Sequence, residues 1–253
     1  MNENTIFNWL VVAMLLSAVV IFIALFFIAA PYGRHARNGW GPSFNDKLGW
    51  IVMESSALVM FFACFLTGQF NTGVIAIVFL AMWGFHYVHR ALIFPFTLRN
   101  ASGRMTLLVV CLGFIFNMAN AYINGRFVFD ISGGYPAGWL TGPKFILGVT
   151  LYIAGFIINR HSDWTLRNLR RPGETGYKIP HGGLYRWISC PNYFGEILIW
   201  VGWAVATWSL PGLAFAIWTA ANLVPRARSH QRWYQQNFPG YPETRKTLIP
   251  LLW

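Results

Sequence analysis

Residues 193–225, YFGEILIWVGWAVATWSLPGLAFAIWTAANLVP, decide the fold. Read as one element, they form a long helix bent at Trp208-Ser209-Leu210-Pro211-Gly212, because Pro and Gly also kink membrane helices. Read as two, they form a pair of short spans, 193–208 and 211–225, joined by a turn. The choice sets whether the chain crosses a bilayer six or seven times, and so which side carries the basic residues that follow.

Outward from this stretch, further apolar runs fall at 5–30, 49–66, 73–95, 105–123 and 143–159, most of them near the roughly 20 residues a helix needs to span hydrocarbon. The apolar set makes up 56% of the chain and charged residues only 11%, against about 25% charged in soluble domains. The chain therefore reads as an all-α integral membrane protein. No polar linker or internal repeat divides it, so one domain over 1–253 is expected.

Charge placement chooses between six and seven spans, because short cytoplasmic loops collect Lys and Arg. Seven spans with the N-terminus outside and the C-terminus cytoplasmic put 17 of the 19 basic residues on one face, leaving Arg126 and Lys144 outside. Six spans put the last basic group, Arg226 to Lys246, on the wrong side. Asn2, Glu3 and Asn4 supply no basic n-region, so the first apolar run reads as a retained helix rather than a cleaved signal.

The net charge of +11 does not indicate a nucleic-acid partner, since the basic residues sit in loops between spans, where they set topology and meet anionic lipid. Cys64, Cys111 and Cys190 are far apart and form no CxxC, so neither a disulfide framework nor a metal site is expected.

Of the eight acidic residues, Glu54 and Glu196 fall inside or at the edge of spans. An ionisable group there is costly unless it is paired or faces a polar cavity, so it reads first as functional and second as a helix-to-helix hydrogen bond. Spans two and three are neighbours joined by the short turn near Gly68 to Gly73, and counting the helical rise puts Glu54 and Tyr87 at a similar depth. His86 and Arg90 share the local face with Tyr87 or read as interfacial anchors. Asn117, Asn120 and Asn124 draw a polar stripe down span four.

Two polar clusters remain on the cytoplasmic side. Asn159 to Asn192 includes Arg160, Asp163, Arg167, Arg170, Arg171, Tyr177 and Lys178, with glycines at 173, 176, 182 and 183 that let backbone approach a ligand. The second cluster, after 225, contains Arg226, Arg228, His230, Arg232 and Tyr234. Such sets suit either a large polyanionic cofactor or an anionic headgroup. Neither GxGxxG nor GxxxxGK[ST] occurs, which excludes a Rossmann or P-loop site.

The runs His86-Tyr87-Val88-His89-Arg90, Asn159 to Asp163, Arg171-Pro172-Gly173-Glu174, Gly182-Gly183-Leu184, Asn192 with Gly195-Glu196, Ala206 to Pro211, and Thr244-Arg245-Lys246 give the chain a specific likeness. It resembles the steroid 5α-reductase family of membrane reductases from about residue 50 onward, most densely after Asn159. The resemblance implies NADPH-dependent reduction of the C4–C5 double bond of a 3-oxo-4-ene steroid, with Glu54 and Tyr87 as the catalytic pair. It implies cofactor contacts from Asn159, Asp163, Arg170, Tyr177, Asn192, Arg226, His230, Tyr234 and Arg104. Glu196, Asn120, His86 and Arg90 are expected to line or support the substrate pocket. Met53 and Ser56 stand where animal members usually carry Gln and Pro, and His181 replaces a usual Gln.

Hydride addition to an enone gathers negative charge on the carbonyl oxygen, which needs donors aimed at it. On this reading a neutral Glu54 and Tyr87 are those donors. The cofactor would come from the cytoplasmic face of a bacterial inner membrane or endoplasmic reticulum, and the apolar steroid from the bilayer. The alternatives are an enoyl-thioester or polyprenol reductase, a methyltransferase of the isoprenylcysteine type using S-adenosylmethionine, and a non-enzymatic lipid carrier.

Overall fold

The computed structural model describes residues 2–28, 41–97, 104–171, 174 and 176–253. The expectations about Arg34, Arg37, Arg99, Pro172 and Gly173 lie outside the described residues. The fold is all-α apart from one small ribbon. Helix α1 spans Glu3–Phe27, α2 Asp46–Thr67 and α3 Val74–Val88, which runs on through a π-helical turn, His89–Ile93, into α4, Phe94–Thr97. Helix α5 covers Leu107–Arg126 and ends in a second π turn, Phe127–Ile131; α6 is Pro143–Asn168, α7 Pro191–Thr207 and α8 Leu210–Asn237.

Among the described residues, five helical segments are long and apolar enough to cross a membrane: Glu3–Phe27, Asp46–Thr67, Val74–Thr97, Leu107–Ile131 and Pro143–Asn168. The protein is thus a multi-pass membrane protein. The deciding stretch forms two helices rather than one bent one. Trp208 adopts a left-handed conformation (φ 46°) that ends α7, and the Ser209 hydroxyl accepts from the Gly212 amide to cap α8. Helix α7 has 17 residues, and the apolar half of α8 is diluted by Pro, Gly, Thr and Asn, so neither stands out as a span by length and hydropathy alone.

Helix ends depart from the expected spans. Helix α6 continues to Asn168 rather than 159, and α8 to Asn237 rather than 225, with Pro225 inside it. Asn159, Asp163, Arg226, His230 and Tyr234 are therefore helical and not loop residues. The physical reason is that hydropathy marks where a segment leaves apolar surroundings, whereas a helix persists as long as its backbone bonds and packing do. The ribbon was not expected either: β1, Ser43–Asn45, pairs antiparallel with β2, Arg104–Thr106. The Asn45 side chain then caps α2 through the Leu48 amide.

The structure groups into two compact units, Met1–Val12 with Pro31–Phe145 and Ala13–Ala30 with Ile146–Trp253. In the first, α2 packs along α5, and Met53 fills the space over Gly113. An aromatic ladder joins α2 to α3: Phe61 stacks on Trp83 at 4.4 Å, Trp83 on Tyr87 at 5.0 Å, and Trp83 Nε1 donates to the Ala57 carbonyl at 3.2 Å.

In the second unit, α6 and α7 meet backbone to backbone along Gly148, Gly155, Gly195 and Gly202. A Cβ at Gly155 would lie 2.6 Å from the Gly195 carbonyl oxygen. Such seams of small residues let membrane helices gain close van der Waals contact. Gly155→Ala is expected to cost about 1–3 kcal/mol through overpacking, read as a lower thermal unfolding temperature in detergent; an unchanged temperature would mean that the seam yields freely.

The last segment is tied to the start of α7 by a parallel bridge between Ile188 and Lys246, where Ser189 N donates to the Lys246 carbonyl at 2.8 Å.

Candidate active site

In the first unit, Glu54 lies on α2 with 6% of its surface exposed, and Tyr87 on α3 with 2%. Two contacts fix their relative level. Trp83 on α3 bonds to Ala57 on α2, and Arg90 Nη2 reaches Glu54 Oε1 at 3.0 Å. Tyr87 lies between Trp83 and Arg90, roughly one turn from each, so the antiparallel helices bring Tyr87 within about one turn of the level of Glu54. Asn117 of α5 donates to the Met53 carbonyl at 2.8 Å, and its amide nitrogen stands 3.5 Å from Glu54 Oε2.

The bonds around Glu54 alter one part of the expected chemistry. Both carboxyl oxygens meet donors, a guanidinium at Oε1 and an amide at Oε2. The Oε2 contact is at the long limit of a hydrogen bond, so Oε2 is the less tightly held of the two oxygens.

Around this pair, His86 is buried with its ring edge-on to Tyr87 at 5.1 Å. Asn120 is fully buried one turn beyond Asn117 and accepts from Asn124 through its side-chain and main-chain oxygens, both at 3.0 Å. The Asn stripe thus splits: Asn117 addresses Glu54, while Asn120 and Asn124 bond to each other. Arg104 lies on β2 at the ribbon, where Nε donates to Ser43 Oγ at 2.6 Å.

In the second unit, the other expected residues form two adjoining networks. Asn159 on α6 donates to the Asn192 carbonyl at 2.8 Å and to Glu196 Oε2 at 3.0 Å. Asn192 Nδ2 in turn reaches Asp163 Oδ1 at 3.4 Å, and Trp200 Nε1 holds Glu196 Oε1 at 3.1 Å. Asn159, Asp163, Asn192 and Glu196 thus come together across α6 and α7. Glu196 accepts from both Asn159 and Trp200, which holds its carboxylate in place.

The second network is centred on Tyr193, which the sequence reading did not single out. Its hydroxyl accepts from Arg226 Nη2 at 3.1 Å and pairs with His230 Nε2 at 2.9 Å. Arg226 also donates to Asn222 and sits 5.3 Å over the Tyr193 ring. Tyr193 and Asn222 hold the guanidinium in place. The signal for Tyr193 was its position between Asn192 and Glu196 on the first turn of α7.

Arg170 donates to the Gly176 carbonyl at 3.3 Å, and Tyr177 packs edge-on to Trp233 at 4.9 Å. Tyr234 is buried and stacked on Tyr241 at 5.2 Å, so its ring belongs to an aromatic cluster. Burial pushes the Tyr241 phenol up from its ordinary value. Gly176 and Gly182 adopt φ of 90° and 88°, and a Cβ at either would meet nothing within 4 Å; Gly183 instead faces the His161 ring. Among the described residues no cluster of His, Cys, Asp and Glu could hold a metal ion.

This donor set fits a dinucleotide phosphate. Fixed guanidinium groups suit phosphates, and carboxamides and carboxylates suit ribose hydroxyls and an amide.

The family model for 3-oxo-5-alpha-steroid 4-dehydrogenase matches residues 103–253, which includes the second unit's networks and leaves Glu54 and Tyr87 outside the match. Similar proteins extend over those two as well. The steroid 5-alpha-reductase DET2 of Gossypium hirsutum is 38% identical over 256 residues, covering 100% of this chain and 99% of the relative. The 3-oxo-5-alpha-steroid 4-dehydrogenase 1 of Bos taurus is 42% identical over 239 residues, 92% of each chain. The protein of that name from Homo sapiens is 40% identical over 223 residues, 87% of this chain and 85% of the relative.

Proposed function

Because the chain belongs to the 3-oxo-5-alpha-steroid 4-dehydrogenase family, we propose that it reduces the C4–C5 double bond of a 3-oxo-4-ene steroid with NADPH. It is an oxidoreductase acting on CH–CH groups. The observation that carries this reading is a buried Glu54 and a buried Tyr87 on neighbouring helices in a chain whose relatives, similar over nearly their full length, are named for that reaction.

NADPH supplies the hydride that adds to the β-carbon of the enone. Arg226 and Arg170 would hold its phosphates, and Asn159, Asp163 and Asn192 would address its ribose and amide, with Tyr177, His230, Tyr234 and Arg104 as further contacts. Tyr87 donates to the oxygen on which negative charge develops, and Glu54 shares that oxygen through a proton on Oε2. Donors aimed at such an oxygen in a water-poor site are worth more than they are in water. His86 and Asn120 support the substrate pocket. The steroid, being apolar, arrives from the bilayer.

The test is NADPH oxidation by the purified protein with progesterone, testosterone or androstenedione, with the product identified by a mass gain of two hydrogens. No steroid-dependent oxidation would overturn the reading and turn attention to enoyl-thioester or polyprenol substrates, which the same cofactor half would serve.

The cofactor site faces the cytoplasm in a seven-span topology. Trp187 and Trp208, both half-exposed, bracket α7 in the manner of interfacial belts. The 17 residues of α7 rise about 25 Å, close to the hydrocarbon thickness of about 30 Å. Reporter fusions at residue 1 and after residue 124 are expected outside, and those after residues 99, 171 and 253 inside. A cytoplasmic N-terminus would overturn this orientation.

A further inference from the structure

The Arg90–Glu54 contact is built into a clamp. The Arg90 guanidinium carbon lies 4.8 Å from the centroid of the Trp50 ring and 4.8 Å from that of Phe94. The two rings meet edge-on at 5.3 Å. Trp50 stands one turn before Glu54 on α2, and Phe94 one turn after Arg90, so the clamp is made by the same two elements that carry the ion pair. Arg90 itself sits in the π-helical turn His89–Ile93, a local insertion of the kind often found at functional positions. A guanidinium gripped by two aromatic rings has its plane fixed as well as its charge.

We infer that Arg90, clamped by Trp50 and Phe94, is a positioning residue for the reduction proposed above, on which this inference rests. By taking Oε1 at 3.0 Å, it fixes the Glu54 side chain in one orientation and leaves Oε2 as the oxygen that addresses the steroid carbonyl. Asn117, anchored to the Met53 carbonyl, steadies the other side of the carboxyl group. Three rotatable bonds separate the Glu54 carboxyl from its backbone, and a displacement of about 1 Å from the productive geometry costs about 10²-fold in rate. If the pair served only to neutralise a buried acid, its loss would cost stability but would not act on turnover through Glu54.

The test uses the full chain in detergent with Arg90→Gln and Arg90→Lys, each alone and combined with Glu54→Gln. The readouts are kcat and KM for progesterone, NADPH affinity by fluorescence, and thermal unfolding. Arg90→Gln is expected to lower kcat about 10- to 100-fold while NADPH affinity stays within about twofold of wild type. Arg90→Lys keeps the charge but loses the fork and the stacking, and should recover only part of that loss. In the Glu54→Gln background, Arg90→Gln should change kcat by less than about threefold, because residues acting through one another are not additive.

Full kcat in Arg90→Gln, or the same fold loss in both backgrounds, would overturn the inference. Should Arg90→Gln fail to fold, Trp50→Leu loosens the clamp while keeping both Arg90 and Glu54, and it must lower kcat about 3- to 10-fold; normal kcat there overturns the inference equally. A wild-type protein without steroid-dependent NADPH oxidation would instead remove the functional reading, and this inference with it.

Discussion

Tyr87→Phe is expected to lower turnover of a 3-oxo-4-ene steroid about 10²–10³-fold, the usual effect of removing one donor from a developing oxyanion. The ring remains, so its stack on Trp83 at 5.0 Å and the burial of position 87 survive, and NADPH affinity and thermal unfolding should stay near wild type. Glu54→Gln is expected to lose a similar factor. It keeps a donor but gives up the acid group that Arg90 and Asn117 are arranged around. Together the two changes should lose less than the product of their separate effects, as residues that act as a unit do. The assay is NADPH oxidation under single-turnover and steady-state conditions, with the reduced steroid confirmed by mass. Near-normal turnover in both single variants would remove the pair from the chemistry and leave Glu196, already engaged with Asn159 and Trp200, as the remaining acid to test.

Arg226→Ala is expected to weaken NADPH binding about 10- to 100-fold, because a phosphate would lose a charge-assisted partner worth about 1.5–3 kcal/mol. The turnover of enzyme saturated with NADPH should change far less, which separates this variant from the Tyr87 series. Tyr193→Phe makes the prediction specific. It removes the hydroxyl that receives Arg226 Nη2 and pairs with His230 while leaving the cation, so its effect should be smaller, about fivefold. Arg170→Ala should fall between the two. Unchanged NADPH affinity in both Arg226→Ala and Arg170→Ala would return these residues to contact with anionic lipid, the alternative that their charge first suggested. A titration of NADPH against intrinsic fluorescence reads all three variants without any steroid present.

The residues expected at the site were legible to different depths. Glu54 stood out because an acid inside a span needs an explanation, and Tyr87 because counting along two short-linked antiparallel helices gives depth. The Asn stripe was legible as a face, but not in its division of labour: Asn117 turns to Met53 and Glu54, while Asn120 and Asn124 bond to each other. Glu196 was legible as an acid at the edge of a span, but its bonds to Asn159 and Trp200 were not. Arg90 was legible as a neighbour of Tyr87, yet nothing in the spacing showed that its charge meets Glu54 between two aromatic rings. Tyr193 carried no charge, and its place between Asn192 and Glu196 was a weak signal beside the convergence of Arg226 and His230 on its hydroxyl.

The sequence by itself determined the membrane class, the break at Trp208 to Gly212, and the residue types of both clusters. Each is a sum or a count along one chain segment, and the free energy of placing a residue in hydrocarbon or water depends mainly on that residue and its depth. The tertiary structure alone decided which donor meets which acceptor. It also decided how far α6 and α8 continue as helix beyond their apolar parts, and where four glycines bring α6 against α7. Those outcomes depend on how each helix is rotated about its axis against its neighbour, and a rotation of one residue position, about 100°, exchanges one set of facing side chains for another without changing the hydropathy of either helix.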